Sequence, residues 1–213
     1  MKTLKKQEIR EVIDELEKLY PNAECELNFT TPFELLVATI LSAQCTDKRV
    51  NIVTEKLFKD YNTPEDFLKL KEGELELLIK STGFYRNKSK SILGTSRILV
   101  DKYNSQVPDT REELMKLPGV GRKTANVVMS NAFGKEAIAV DTHVFRVSNR
   151  IGLANSSNVD KTEEDLMKNI PENEWSKAHH LLIFHGRRIC KARNPQCELC
   201  PLRGVCFYYK KTV

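Results

Sequence analysis

Apolar residues recur at steps of three and four along nearly all of this sequence, and that spacing restricts the chain to helices. Ile9, Val12, Ile13, Leu16, Leu19 and Tyr20 fall on one face of an amphipathic helix, and Pro21 stops it. Thr31-Pro32 opens a second, strongly apolar helix through Phe33, Leu36, Val37, Ile40 and Leu41. Helical patterns also cover 48–61, 64–70, 72–81 and 88–103, and Thr110 and Glu113 have capping-box spacing ahead of the next helix. Arg122–Phe133 makes another, and further helices start from Thr142, Thr162 and Trp175. The one strand-like stretch, 137–140, is too short and solitary to make a sheet. The expected fold is all-α. A chain of 213 residues suits one large domain or two small ones packed together. Gly134-Lys135-Glu136 is the best candidate for a hinge between two helical lobes.

No run of about 18 apolar residues occurs, so no membrane span is expected. The first twenty residues carry charges throughout and lack the apolar core of a secretory signal. These features point to the cytoplasm, where cysteines serve more often as ligands or nucleophiles than as disulfide partners. The net charge of +5 is unevenly spread: residues 186–213 carry +6, leaving −1 for the rest. A basic segment on a near-neutral body is either a solvated face or the footprint of a phosphate-backbone binder.

The segment 112–125 reads as a helix, a tight turn and a second helix. Pro118 ends the first helix, while Gly119 and Gly121 leave the turn free of side-chain bulk. Backbone N–H groups beside a helix N-terminus then form an anion site, where a DNA phosphate binds without any base being read. Leu117, Pro118, Gly119, Val120, Gly121 and Arg122 are the candidate contacts. Lys123 falls in the first turn of the second helix, whose dipole opposes an ammonium by only about 0.3–1 kcal/mol. As a nucleophilic amine it needs partial burial or a second cation such as Arg122; otherwise it is one more phosphate contact. Asp141, after the apolar run 137–140, sits where the next helix needs an N-cap. Capping holds a carboxylate fixed and ionised, as an electrostatic catalyst requires. One helix separates Lys123 from Asp141, a spacing that allows them to meet.

Cys190, Cys197, Cys200 and Cys206 give C-x6-C-x2-C-x5-C. Four thiolates so close suit a metal centre, zinc or [4Fe–4S], although zinc folds usually show two C-x2-C knuckles and only one is present here. Lys191 and Arg193 lie between the first two cysteines, on a loop that the metal would hold rigid for phosphate binding. Cys25 and Cys45 are left over as ordinary thiols. His179, His180 and His185 share one helix, where packing is the default reading.

Leu41-Ser42-Ala43-Gln44, the segment 117–128, Val140-Asp141-Thr142-His143 and the terminal cysteines together resemble the endonuclease III family, the bifunctional DNA glycosylase/AP lyases of the helix-hairpin-helix superfamily. The similarity runs over 31–206. It implies a six-helix domain at 22–134 and a discontinuous iron–sulfur domain at 1–21 plus 135–213, with Lys123 and Asp141 facing each other across a cleft. It implies a [4Fe–4S] cluster on Cys190, Cys197, Cys200 and Cys206, and a monomer acting on double-stranded DNA that contains oxidised bases or abasic sites, in the cytoplasm and, in a bacterium, at the nucleoid. The base is flipped from the stack; Lys123 attacks C1′ and Asp141 stabilises positive charge on the sugar. By the same resemblance Gln44 fills the space left by the flipped nucleotide, His143 contacts DNA beside Asp141, and Phe84 wedges into the opposite strand. A leucine is more usual at that last place, and the alternative for Phe84 is a core position. A monofunctional mismatch adenine glycosylase lacks a lysine at the position of Lys123 and carries a further C-terminal domain. A module that only holds DNA needs neither Asp141 nor the cysteines.

Overall fold

The computed structural model describes residues 3–71 and 73–212. Among these residues there are α-helices and short 3-10 turns and no strand, so the all-α expectation holds. The chain divides into two compact units, one formed by Cys25–Lys135 and the other by Met1–Glu24 with Glu136–Val213.

The described residues of the first unit form the helices α2 (Pro32–Leu41), α3 (Asp47–Asp60), α4 (Pro64–Lys69), α5 (Glu74–Ile79), α6 (Tyr85–Tyr103), α7 (Arg111–Leu114) and α8 (Arg122–Phe133). Every residue of α2 from Phe33 onward is buried, which is why its sequence is apolar on all sides rather than on one stripe. It packs against α3, α6 and α8 and forms the centre of the unit. Glu34 is buried within it, but its carboxylate accepts from the backbone N–H and the hydroxyl of Thr30 (2.5 and 2.8 Å). Threonines at 31, 46, 63 and 110 each accept a first-turn N–H, and Pro32 and Pro64 occupy first-turn positions where no amide partner is lost.

The second unit joins α1 (Lys6–Leu19) to α9 (Thr142–Ile151), α10 (Val159–Asn169), α11 (Trp175–Arg188) and α12 (Phe207–Thr212). The apolar stripe Ile9, Val12, Ile13 and Leu16 enters a core built with Val144, Val147 and Ile151 of α9 and Ala178, Leu181 and Leu182 of α11. Residues 137–140 are buried and belong to no helix, and they form no strand among the described residues.

Three local readings shift. The helix expected over 72–81 begins at Glu74, after the left-handed Gly73 (φ +82°), and tightens into a 3-10 turn over Lys80–Thr82; Glu72 lies outside the described residues. The helix expected over 88–103 starts three residues earlier, at Tyr85. Thr110 caps α7, but the carboxylate of Glu113 takes hydrogen bonds from Lys116 and Tyr103.

Leu16 is fully buried, whereas Leu19 on the same helix is 39% exposed. Leu16→Ala is expected to lower stability by about 2–5 kcal/mol, and Leu19→Ala by less than about 1 kcal/mol, both read from urea unfolding.

Candidate nucleic-acid interface and metal centre

The turn between α7 and α8 is built by steric exclusion. Gly119 has φ +77°, and a Cβ there would sit 2.7 Å from the Ser91 Cβ on α6. Pro118 stacks on Gly94, where a Cβ would lie 3.2 Å from its ring, and the Pro118 carbonyl accepts from the Thr95 hydroxyl (2.9 Å). Leu117 and Val120 turn their side chains into the interior, 2 and 7% exposed, so only their backbone is available to a phosphate. Gly121 is the N-cap of α8 and supplies no side-chain cap, unlike the threonines, Asn158 and Asp141 that cap other helices here. No side chain at the N-cap therefore serves the first turn of α8. Arg122 is half-buried beside them, and Lys123 is exposed.

Two more sequence candidates lie in the same unit. Gln44, three residues past the end of α2, is exposed with φ +54°. Phe84 is 62% exposed with φ +48° and is the N-cap of α6. That exposure removes the core alternative for Phe84. A left-handed aromatic is a backbone outlier of the sort that clusters at functional sites.

In the other unit Asp141 caps α9, its Oδ1 accepting the Val144 N–H at 2.7 Å. The carboxylate is half-buried and its direction is set by the helix it begins. His143 packs against α11 at Gly186, and its Nδ1 lies 3.2 Å from an Arg146 Nη. Sequence reasoning passed over Arg146. Its guanidinium donates to the carbonyls of Thr142, Gly186 and Cys190 (3.0–3.3 Å), tying α9 to the end of α11 and to the first cysteine.

Cys190, Cys197, Cys200 and Cys206 line a single cavity together with Ile151, His185 and Tyr208. All are reduced and half-buried. Among the described residues no group of three or more His, Cys, Asp or Glu is arranged to hold a single metal ion. A zinc ion would draw four sulfurs to about 2.3 Å from one point; a polynuclear cluster keeps them farther apart around a cavity. An Arg150 Nη lies 3.7 Å from the Cys190 sulfur, the Cys200 sulfur lies 3.5 Å from His185 Nε2, and the Cys206 thiol donates to the Arg150 carbonyl at 3.4 Å. Burial, with the charge of the neighbouring Cys206, Cys190 and Cys197, pushes the Cys200 thiol up to about 11, a trend that metal ligation reverses. Arg150 also donates to the carbonyls of Lys191 and Ala192 (2.7 and 3.1 Å) and stacks on Tyr208 at 4.5 Å, so it fixes the loop that exposes Lys191 and Arg193. It too was missed. Arg146 and Arg150 stand four apart on one face of α9, a signal readable only once the cysteine loop is known to lie beside that face.

Residues 37–172 match the HhH-GPD superfamily of base excision DNA repair proteins, and residues 190–206 match the iron–sulfur binding domain of endonuclease III. The chain is 53% identical to endonuclease III of Bacillus subtilis over 91% of its own length and 89% of the relative's. It belongs to the endonuclease III family. Two solved structures, a non-covalent endonuclease III–DNA complex and a trapped endonuclease III–DNA covalent intermediate, superpose with TM-scores of 0.94 at 55% identity, covering 98% of this chain and 98 and 99% of those. This family member is a base-excision DNA glycosylase with AP lyase activity, and its cofactor is a [4Fe–4S] cluster.

The hairpin is tested by a pair of glycines. Gly119→Ala, strained by its φ and by Ser91, is expected to lose about 1–3 kcal/mol of stability and to weaken duplex binding in a fluorescence titration. Gly121→Ala, with open space around its Cβ, is expected to stay within about 1 kcal/mol of wild type.

Proposed function

We propose that this enzyme removes oxidised pyrimidines from double-stranded DNA and cuts the resulting abasic site, with Lys123 as nucleophile and Asp141 as its electrostatic partner. The observation that carries the reading is the place of Lys123, in the first turn of a helix with no side-chain cap, beside the half-buried cation Arg122 and a glycine turn shaped for a phosphate. The similar protein trapped covalently on DNA supports a mechanism in which such an amine bonds to the sugar.

In this mechanism the flipped nucleotide presents C1′ to the Lys123 amine. The nitrogen lone pair forms the N–C1′ bond as the glycosidic bond breaks, and the base leaves with the electron pair of the broken glycosidic bond. Asp141, held by its bond to the Val144 N–H, opposes the positive charge that builds on the sugar and accepts the proton the lysine sheds. Opening of the sugar gives the Schiff base. Loss of a C2′ proton then expels the 3′ phosphate and breaks the strand. Gln44 occupies the space the nucleotide leaves, Phe84 enters the opposite strand, and His143 touches DNA beside Asp141. The amides of residues 117–122, with Lys191 and Arg193, hold phosphates and bring the salt dependence of a backbone binder.

Cys190, Cys197, Cys200 and Cys206 would hold the [4Fe–4S] cluster, whose contribution is the rigidity of the basic loop they bracket. The enzyme acts as a monomer in the cytoplasm, at nucleoid DNA. Among the described residues no helix is long and apolar enough to cross a membrane.

Borohydride added during turnover on a thymine glycol duplex is expected to yield a covalent protein–DNA adduct with wild type and none with Lys123→Ala; an adduct with the variant would reject the assignment. Asp141→Asn should slow single-turnover base release by about 100-fold or more, and a wild-type rate would remove the carboxylate from the mechanism. Purified protein should carry four irons and no zinc, and Cys200→Ser should lose the visible absorption of the cluster.

A further inference from the structure

The proposed mechanism gives no role to one buried cation. Lys88, in the second turn of α6, is 5% exposed. Its Nζ donates to the carbonyl of Leu41 and to the carbonyl of Thr82, each at 2.8 Å. Among the described residues no carboxylate pairs with it, and burial pulls the ammonium below the ordinary lysine range. A desolvated charge held only by carbonyls is costly and invites a functional explanation.

The two acceptors identify that function. Leu41 is the last residue of α2 and Thr82 the last of the 3-10 turn Lys80–Thr82, so each carbonyl belongs to a helix end that lacks an intrahelical partner and carries partial negative charge. Past Leu41 the chain runs through Ser42 and Ala43 to Gln44; past Thr82 it runs through Gly83 (φ +71°) to Phe84. Gln44 and Phe84 are both non-glycine residues with positive φ, and each lies within three residues of an acceptor of the same ammonium. The backbone N–H of Lys88 also donates to the Phe84 carbonyl (3.1 Å), so Phe84 is bracketed by two bonds from one residue. The reach is natural, because helical side chains point back toward the helix N-terminus.

We propose that Lys88 is a positioning residue that locks the Gln44 loop and the Phe84 loop into one rigid pair, so that both side chains enter the duplex in a single step. The inference rests on the reading of Gln44 and Phe84 as the groups that enter DNA. A lysine has the required form: three protons on a flexible stem, able to reach two carbonyls from different segments at once.

The test uses a duplex with thymine glycol opposite 2-aminopurine, whose fluorescence rises when its stacking is disturbed. Wild-type enzyme in a stopped-flow mixer should give a rise that precedes base release. Lys88→Met should slow that rise and single-turnover base release at least tenfold, while affinity for an undamaged duplex stays within twofold. In a Gln44→Ala, Phe84→Ala background, adding Lys88→Met should cost less than twofold more, because both changes remove the same event. A Lys88→Met protein that folds and gives the wild-type rise, or a full tenfold further loss in that background, would overturn the inference. Should Lys88→Met fail to fold, Lys88→Gln, which keeps a donor for one carbonyl, takes its place; a slowed rise supports the clamp and an unchanged rise rejects it. If Gln44→Ala, Phe84→Ala alone leaves the rise intact, the insertion reading fails separately from the role of Lys88.

Discussion

An α-helix leaves its first amides and last carbonyls without partners inside the helix, and the groups assigned roles in this protein stand at such ends. Lys123 follows the start of α8, which has no side-chain cap, and Asp141 caps α9. Phe84 stands at the N-cap position of α6, Gln44 follows the end of α2, and Cys190 follows the end of α11. Helix ends offer fixed partial charges at fixed positions with little reorganisation when an anion or a developing cation arrives. Packed interiors hold those ends still. The buried α2 and α6 give the hairpin a solid backing, and Gly94 and Gly119 are small because α6 and the turn touch.

A second theme is the use of buried or half-buried cations as staples for irregular backbone. Lys88 gathers two helix ends within one unit. Arg146 and Arg150 do the corresponding work in the other, together donating to the carbonyls of Gly186, Cys190, Lys191 and Ala192. Each guanidinium satisfies several carbonyls with one planar fork, which a lysine could not match there. The loop that carries the cysteines thereby gains side-chain support of its own, and its exposed Lys191 and Arg193 are presented from a braced backbone.

Much of this was legible in the sequence, for identifiable reasons. Threonine-proline pairs fixed the starts of α2 and α4, and the Leu-Pro-Gly turn could form nothing but a tight break between helices. What escaped depends on tertiary context. Glu113 has capping-box spacing, yet Lys116 and Tyr103 take its carboxylate. Phe84 fits either a wedge or a core position by type, and the exposure that excludes the core is not readable from spacing. Lys88 did leave a trace: it occupies the same buried face as Ile92, Thr95, Ser96 and Leu99 of α6. A lysine on an apolar stripe signals a buried pairing, but periodicity cannot name carbonyls 47 and 6 residues away. The leftover cysteines and the three histidines of α11 carried no such signal.

The central claim is that one amine on the glycine hairpin forms the bond to the sugar. Proteolysis of the borohydride-reduced adduct, followed by mass spectrometry of the DNA-bearing peptide, locates that bond directly. The account predicts a single modified peptide whose deoxyribose remnant maps to Lys123. A remnant on the N-terminal amine or on any other lysine would contradict it.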